Sequence, residues 1–326
     1  MKKIWKSCLM FAVLLLAGLF ISSLKAEAGS NFTGWKVENG NYYYYSKGIK
    51  VLGSKNALNR IDGQEYALNP MTGKRETGWQ SRGSNWYWCD IKTGAAVNGW
   101  KQIAGKWYYF HLTYKNMLTG TRTIGGREFY FDSNGMMKTG WQKPYSKNWF
   151  YYDRTKGYLL TGWQKIDNKW YFFREGGSMV ADTEHEVNGY KYYFDANGVM
   201  KTGWVQVYKQ WKYYDPVKGY ALTGWFKVNK RWFYGRLTSG AILKNGKEMI
   251  DGKTYYFDSN GVMRTGWVKR GTVWYYFDAN GVMQTGWLKL GGKWYYLDLV
   301  FGYMYHSGRY YINKIRYYFN ADGTLR

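Results

Sequence analysis

A Gly-Trp pair recurs along the chain at a nearly constant interval, and this periodicity limits the folds that the sequence can adopt. The pairs are about 20 to 22 residues apart, or about twice that, and end at Trp35, Trp79, Trp100, Trp141, Trp163, Trp204, Trp225, Trp267 and Trp287. A unit of this size cannot bury its own apolar face. The sequence therefore predicts a repeat protein in which each unit packs on its neighbours.

Units without Gly-Trp pairs fill the wider gaps, because the aromatic part of the motif continues where the tryptophans are missing. These Trp-free units lie at residues 123–137, 187–200, 250–263 and 310–325. Trp79, Trp141, Trp204 and Trp267 are 62, 63 and 63 residues apart. Each block of 62–63 residues is thus predicted to contain two Trp-bearing units and one Trp-free unit, which gives about fourteen units over residues 29–326.

Each unit is predicted to be a β-hairpin. Residues 265–287 read T-G-W-V-K-R-G-T-V-W-Y-Y-F-D-A-N-G-V-M-Q-T-G-W, with two β-prone runs around a Gly turn and an Asp-x-Asn-Gly turn signal after them. The predicted fold class is all-β, a solenoid of stacked β-hairpins with about 20–21 residues per unit. We expect a signal peptide at 1–28, irregular first repeats at 29–70 and the β-hairpin solenoid at 71–326.

A two-residue turn fixes the register of such a hairpin. In the unit that begins at Trp100, it places Trp100 opposite Tyr109 and Gln102 opposite Trp107. Strand alternation then brings Trp100, Trp107 and Tyr109 to one face. One face of each hairpin would pack inside while the other presents a pair of Trp rings.

The N terminus has the features of a secretory signal. Three lysines precede an apolar run at residues 9–21, and Ala26-Glu27-Ala28 is a small-x-small cleavage site. We expect a secreted chain that begins at Gly29 and has no membrane span after cleavage. Cys89 would then be the only cysteine, which excludes an intramolecular disulfide and predicts a small apolar filler in a strand.

The chain is strongly basic, with a net charge of +25, or about +22 once residues 1–28, with four Lys and one Glu, are removed. Such a charge attracts polyanions, which include nucleic acid, anionic membranes and phosphate-rich wall polymers. Aromatic residues in a basic chain also suit single-stranded nucleic acid. We predict no nucleic-acid partner, because the chain is expected outside the cell and its lysines are spread evenly.

Side chains suited to catalysis are not grouped in the sequence. His111, His185 and His306 occupy unrelated repeat positions, without a Ser or Cys motif. Glu184-His185-Glu186 lacks a second ligand pair for a metal, and we interpret it as an exposed turn. The Asp-x-Asn-Gly segments lack the closing acidic residue of a calcium loop. We predict no enzyme, no metal site and no cofactor.

The pattern T-G-W, then W-Y-Y-F, then D-x-N-G-x-M-x-T-G-W resembles the choline-binding repeats of bacterial cell-wall-attached proteins, over essentially all of residues 29–326. It is also similar to the glucan-binding repeats of extracellular glucosyltransferases and the C-terminal repeats of glucosylating toxins. The resemblance implies a left-handed solenoid of hairpins. It also implies that choline groups of teichoic acid bind between hairpins, in cages of about three aromatic residues and a Met or Leu.

Aromatic cages suit choline because a quaternary ammonium donates no hydrogen bonds and is held by ring faces, at roughly 0.5–2 kcal/mol per ring. On this sequence, the resemblance places cages where two Trp-bearing hairpins adjoin. The predicted cages are Trp86, Trp100 and Trp107; Trp149, Trp163 and Trp170; Trp211, Trp225 and Trp232; and Trp274, Trp287 and Trp294. Tyr109, Tyr214 and Tyr296 are predicted as additional walls.

Together these features predict a secreted, non-catalytic protein that is associated with the cell wall and binds choline-decorated or related teichoic-acid polymers. Many weak sites along one polymer would provide avidity. Two alternatives stay open. One is a surface adhesin for glucan or host glycans, because sugar rings also stack on indole. The other is a scaffold in which the Trp rings serve packing alone.

Overall fold

The chain is built from β-hairpins. The computed structural model describes residues 31–145 and 147–326, so the predicted signal peptide and its cleavage site lie outside the described residues. The described residues form 32 strands and no helix. The strands make fourteen separate sheets of two or three strands, the number of units that the periodicity predicts. The all-β class and the stacked hairpins are confirmed.

The strands follow one another at short intervals. The first sixteen are β1 (Gly34–Glu38), β2 (Asn41–Ser46), β3 (Ile49–Lys50), β4 (Asn59–Ile61), β5 (Gln64–Leu68), β6 (Arg75–Glu76), β7 (Gly78–Arg82), β8 (Asn85–Cys89), β9 (Gly99–Ile103), β10 (Lys106–Phe110), β11 (Gly120–Ile124), β12 (Arg127–Phe131), β13 (Met137–Lys138), β14 (Gly140–Gln142), β15 (Phe150–Tyr152) and β16 (Gly162–Ile166). The other sixteen are β17 (Lys169–Phe173), β18 (Thr183–Val187), β19 (Tyr190–Phe194), β20 (Met200–Lys201), β21 (Gly203–Val207), β22 (Gln210–Tyr214), β23 (Gly224–Val228), β24 (Arg231–Gly235), β25 (Gly246–Ile250), β26 (Lys253–Phe257), β27 (Gly266–Arg270), β28 (Val273–Phe277), β29 (Gly286–Leu290), β30 (Lys293–Leu297), β31 (Gly308–Ile312) and β32 (Ile315–Phe319). In the described residues, no helix has the length and hydrophobicity needed to cross a bilayer.

Tight turns set the register of the hairpins. In β9–β10 the turn residues Ala104 and Gly105 both have positive φ, 47° and 75°. This is the turn whose twist matches that of the flanking strands. The register pairs Trp100 with Tyr109. It also pairs Gln102 with Trp107, so the predicted register is confirmed.

The chain divides into two compact units. The first comprises the described residues up to Pro144 together with Tyr152–Leu159, and the second comprises Tyr145–Tyr151 and Leu160–Arg326. Both units have their core at the end of each hairpin's second strand. The fully buried rings there are Phe110, Phe131 and Tyr152 in the first unit and Phe173, Phe194, Tyr214, Phe257, Phe277 and Phe319 in the second.

Backbone hydrogen bonds connect each hairpin to the next. A residue just after one hairpin donates its N–H to the second strand of the hairpin before it. In the first unit Met117 donates to the carbonyl of Trp86, at 2.7 Å. In the second unit Met263 donates to Trp232, at 2.9 Å. These bonds repeat along each unit and fix the stacking of neighbours.

The same methionines limit what can stand in the following turn. Gly281, in the turn after β28, has a φ of +81°, and a Cβ built there would collide with the sulfur of Met263. Gly135 has the same relation to Met117. Each of these positions therefore requires glycine for two reasons, the left-handed backbone conformation and the close approach of the methionine side chain.

We expect Gly281→Ala to lower the free energy of unfolding by about 1–3 kcal/mol, because it combines left-handed strain with displacement of Met263. Gly252→Ala is the matched control, since Gly252 has a φ of +74° but a Cβ added there would have no atom within 4 Å. Urea unfolding of both variants measures the difference. Equal losses of unfolding free energy in the two variants would show that the close approach of Met263 adds nothing to the cost of the substitution.

Two local predictions have opposite outcomes. Cys89 is a buried free cysteine in β8, as predicted, and burial raises the pKa of its thiol. The interpretation of Glu184-His185-Glu186 as an exposed turn is wrong, because these residues lie in strand β18. Glu184 is satisfied there by a neighbouring hairpin, where Tyr214 donates its hydroxyl to the carboxylate at 2.6 Å.

Candidate aromatic binding sites between hairpins

Six of the Trp-bearing hairpins bring their two indole rings together on one face. The first Trp lies opposite the third aromatic position of the second strand, and the second Trp lies two residues before that position, on the same face. The centroids are 6.1–6.5 Å apart and the planes are 81–90° apart in Trp79–Trp86, Trp100–Trp107, Trp163–Trp170, Trp225–Trp232, Trp267–Trp274 and Trp287–Trp294. The two rings form a right-angled corner, an arrangement that their quadrupoles favour.

The following hairpin adds a third ring to each corner. This ring is the residue directly after the second Trp of that hairpin, or its equivalent in a Trp-free hairpin. It contacts the first Trp of the corner at 4.7–5.0 Å between centroids in Trp79–Tyr108, Trp100–Phe129, Trp163–Tyr192, Trp204–Phe233, Trp225–Tyr255, Trp267–Tyr295 and Trp287–Tyr317. Three aromatic rings from two hairpins therefore meet at each of these junctions.

An apolar residue adds a fourth side chain to the three aromatic rings of a junction. The backbone bonds that connect the hairpins place a side chain beside the second Trp of the corner. It is Met117 next to Trp86, Met263 next to Trp232 and Met304 next to Trp274. At two further junctions it is Ile242 and Leu325. Met263 also packs in the same cluster as Trp225 and Tyr255.

The junctions are open to solvent on one side. Tryptophans of both positions reach the solvent, with 48% of Trp86 and 38% of Trp232 accessible among the second tryptophans and 37% of Trp100 and of Trp287 among the first. The third ring forms the floor, and Tyr108 is buried. Burial, followed by the charge of Asp132, raises the pKa of Tyr108, and burial likewise raises the pKa of Tyr192. Both phenols stay neutral, so the third ring of these two sites offers an electron-rich face without a formal charge of its own.

Lysines stand at the rim of several sites. Lys227 lies opposite Trp232 in the hairpin register, and its Nζ is 4.5 Å from a ring centroid of that indole. The corresponding distances are 5.4 Å for Lys289 and Trp294, 5.8 Å for Lys269 and Trp274, and 6.0 Å for Lys165 and Trp170. The second Trp of each of these sites therefore has a positive charge over its ring.

The structure groups the predicted cage residues in pairs. The pairs within the predicted triplets are Trp100 with Trp107, Trp163 with Trp170, Trp225 with Trp232 and Trp287 with Trp294. The third members, Trp86, Trp149, Trp211 and Trp274, belong to the preceding hairpins. Trp86 contacts Trp79 and Trp274 contacts Trp267, each in its own hairpin. Trp149 is exposed, and its carbonyl accepts the N–H of Met179.

The three predicted tyrosine walls lie deeper than the tryptophans. Tyr109 and Tyr296 contact the first Trp of their hairpins at 5.0 Å, and both are buried. Tyr214 is fully buried and occupies the core position of Phe110, one residue beyond that of Tyr109. Because Tyr214 has no accessible surface, it offers no wall to an external ligand.

The third rings are not among the predicted site residues, although the sequence contains a signal for them. The residue after the second Trp points to the opposite face of the strand. It therefore cannot face the Trp pair of its own hairpin and is available only to the preceding one. In the described part of the chain, no group of three His, Cys, Asp or Glu side chains is placed to hold a metal ion.

The fold and these junctions define a class of protein, a β-hairpin repeat protein with aromatic sites between consecutive repeats. The choline-binding repeat profile matches residues 118–159, 160–198, 244–280 and 265–308, and the cell wall binding repeat profile matches residues 98–110 and 310–325. Together the matches cover more than half of the chain. The protein belongs to the choline-binding repeat family.

Similar solved structures come from Streptococcus pneumoniae. Choline binding protein F is 25% identical, with 84% of this chain and 99% of that chain covered and a TM-score of 0.40. CbpJ is 26% identical, with coverage of 90% and 100% and a TM-score of 0.34. The modular autolysin LytC is 25% identical, with coverage of 68% and 51% and a TM-score of 0.46. No curated protein sequence matches the chain significantly.

Proposed function

We propose that this protein is a secreted, cell-wall-associated binding protein that attaches to choline-decorated or related teichoic-acid polymers and catalyses no reaction itself. The proposal includes the division into a signal peptide at 1–28, first repeats at 29–70 and a repeat region at 71–326. The observation that carries it is the repeated, half-exposed Trp corner, which is closed by a third ring from the next hairpin. Such a site suits a cation without hydrogen-bond donors.

The expected strength of one site explains why there are many. Three rings at roughly 0.5–2 kcal/mol each amount to roughly 2–6 kcal/mol, which corresponds to dissociation constants around the millimolar range. One site would hold a wall polymer weakly. Several sites on one polymer raise the overall affinity by the effective concentration of the linked groups, without any new contact.

The basic charge of the chain supports a polymer ligand rather than free choline. A cation is not attracted by the net charge of the chain, which is about +22 once residues 1–28 are removed. In teichoic acid, however, the choline carries a neighbouring phosphate, and Lys227, Lys269 and Lys289, whose ammonium groups lie over the second Trp, are close enough to the site to meet it. Charge-assisted contacts of this kind weaken as salt rises.

We expect the protein to bind isolated cell walls that carry choline and to be released by millimolar choline. Sodium chloride at the same ionic strength is the control, and it should release much less, because cation–π contacts depend on the ligand and not on ionic strength alone. Release by glucose oligomers instead would transfer the function to the glycan-binding adhesin. Failure to bind either polymer would leave the aromatic junctions a packing role only.

A further inference from the structure

The Trp-free hairpin β25–β26 has the backbone of a Trp-bearing hairpin but different residues at the ligand positions. Lys247 lies opposite Tyr256, just as Trp267 lies opposite Tyr276 in the next hairpin. Thr254 stands at the position of Trp274, because Met249 pairs with Thr254 as Lys269 pairs with Trp274. Both tryptophans of the corner are thus replaced, and the first is replaced by a cation.

The remaining positions of that junction are intact. Tyr275 follows Trp274 in β28 and is therefore the third ring for the junction formed by β25–β26. Met283 donates its N–H to the carbonyl of Thr254 at 2.8 Å, as Met304 does to Trp274. The floor and the apolar wall of a site are in place, and only the two indoles are missing.

The ammonium of Lys247 stands on that floor. Its Nζ is 4.2 Å from the centroid of Tyr275, and it donates a hydrogen bond to the carbonyl of Phe301 at 3.0 Å. The side chain is half-buried. Burial, followed by the charge of Arg270, lowers the pKa of Lys247, so this ammonium is partly removed from water but held by a ring face and a carbonyl.

A second Trp-free hairpin, β18–β19, places another lysine at its junction. Glu184 occupies the position of the first Trp, opposite Tyr193. Lys212, which follows Trp211 in β22, occupies the position of the third ring. The Lys212 ammonium forms an ion pair with Glu184, and only 6% of the lysine side chain is accessible. Here too an internal ammonium stands where the Trp-bearing junctions have an open aromatic site.

We propose that the junctions formed by β18–β19 and β25–β26 are closed to external cations, because the chain supplies its own cation from Lys212 and Lys247. The inference rests on the proposed function and specifies which junctions take part in it. A quaternary ammonium cannot share the face of Tyr275 with Lys247, since both are positive and need the same ring, and this junction lacks the two indoles that the Trp-bearing junctions offer besides the ring next to their lysine. The ligand sites then come in groups separated by closed junctions.

The test is to rebuild the site. Lys247→Trp combined with Thr254→Trp restores the corner in front of Tyr275 and Met283, and we expect calorimetric titration with choline to give one site more per chain than the wild type. Thr254→Trp alone is the matched control. It adds an indole but retains the Lys247 ammonium, so it should add no site. A folded double variant with wild-type stoichiometry would overturn the inference, and so would a gain in the Thr254→Trp control.

A measurement on the unchanged protein keeps the inference testable if the double variant fails to fold. In crystals of the full chain soaked in choline, we expect ligand at Trp267, Trp274 and Tyr295 and none on Tyr275. Choline bound on Tyr275 would contradict the inference. If choline binds at neither position and titration of the wild type shows no binding, the proposed function fails instead, so the two failures are distinguishable.

Discussion

Trp225→Ala is expected to lower the free energy of unfolding by about 3–5 kcal/mol and to abolish binding at its junction. The ring of Trp225 contacts Trp232 and Tyr234 of its own hairpin at 6.1 and 5.1 Å. It also contacts Tyr255 and Phe257 of the next hairpin at 4.7 and 5.8 Å. Removing it therefore leaves a cavity on both sides of the junction and takes away the wall that the other rings share.

The matched control is Trp232→Ala, because Trp232 belongs to the same corner but its ring contacts that of Trp225, within the same hairpin, whereas Trp225 also contacts two rings of the next hairpin. It should remove the same binding site at a stability cost of about 1–2 kcal/mol, since fewer ring contacts are lost. Urea unfolding and choline titration of both variants separate the two roles. A Trp225→Ala chain that keeps wild-type stoichiometry would show that this junction is not a ligand site, and equal stability losses would show that Trp225 does not join the hairpins.

The hairpins themselves were predictable because their determinants are local. A two-residue turn and strand alternation are enough to pair Trp100 with Tyr109, and the structure has that pairing. The type of residue at the site was predictable for a related reason, because paired tryptophans on one face are a property of a single hairpin. Within the irregular first repeats predicted at 29–70, the described residues form hairpins as well, and Trp35 of the first contacts Tyr66 of the next at 4.8 Å.

The grouping of the rings was not predictable from one hairpin, because it depends on which neighbour each face meets. The predicted cage joins Trp86 to the Trp100–Trp107 pair, whereas the stacking bonds bring Tyr108 and Met117 to the Trp79–Trp86 pair. The repeat period of the sequence is compatible with either grouping of the rings. The order is set by hydrogen bonds between residues about 30 positions apart, such as that from Met117 to Trp86, and no local pattern indicates their direction.

Charged strand residues were mispredicted for the same reason. Glu184 looks like a surface residue in isolation, and its partners Lys212 and Tyr214 are 28 and 30 residues away. Glu184 is paired and partly buried because the next hairpin packs against its strand, and the local sequence does not indicate that contact. Two of the Trp-free hairpins therefore occupy the junction in different ways. At β25–β26 it is occupied by Lys247 against Tyr275, and at β18–β19 by the ion pair of Glu184 and Lys212.

The ion pair is the more vulnerable of the two, and Glu184→Ala is expected to lower the free energy of unfolding by about 3–5 kcal/mol. The substitution leaves the Lys212 ammonium, of whose side chain only 6% is accessible, without its carboxylate. It also removes the acceptor of the Tyr214 hydroxyl, and Tyr214 is fully buried. An uncompensated charge and an unsatisfied hydroxyl in one junction cost more than either group contributes when paired.

The control removes both charges together. Glu184→Leu with Lys212→Leu and Tyr214→Phe replaces the polar cluster by apolar residues, and Phe277 occupies the position of Tyr214 in the following block. We expect this variant to regain most of the stability, because a paired buried charge contributes little beyond an apolar pair of similar volume. Urea unfolding of the Glu184→Leu, Lys212→Leu and Glu184→Leu/Lys212→Leu variants, each compared in the Tyr214→Phe background, gives the coupling energy. Losses that simply add would show that Glu184 and Lys212 act independently, and the junction would then be held by its aromatic contacts alone.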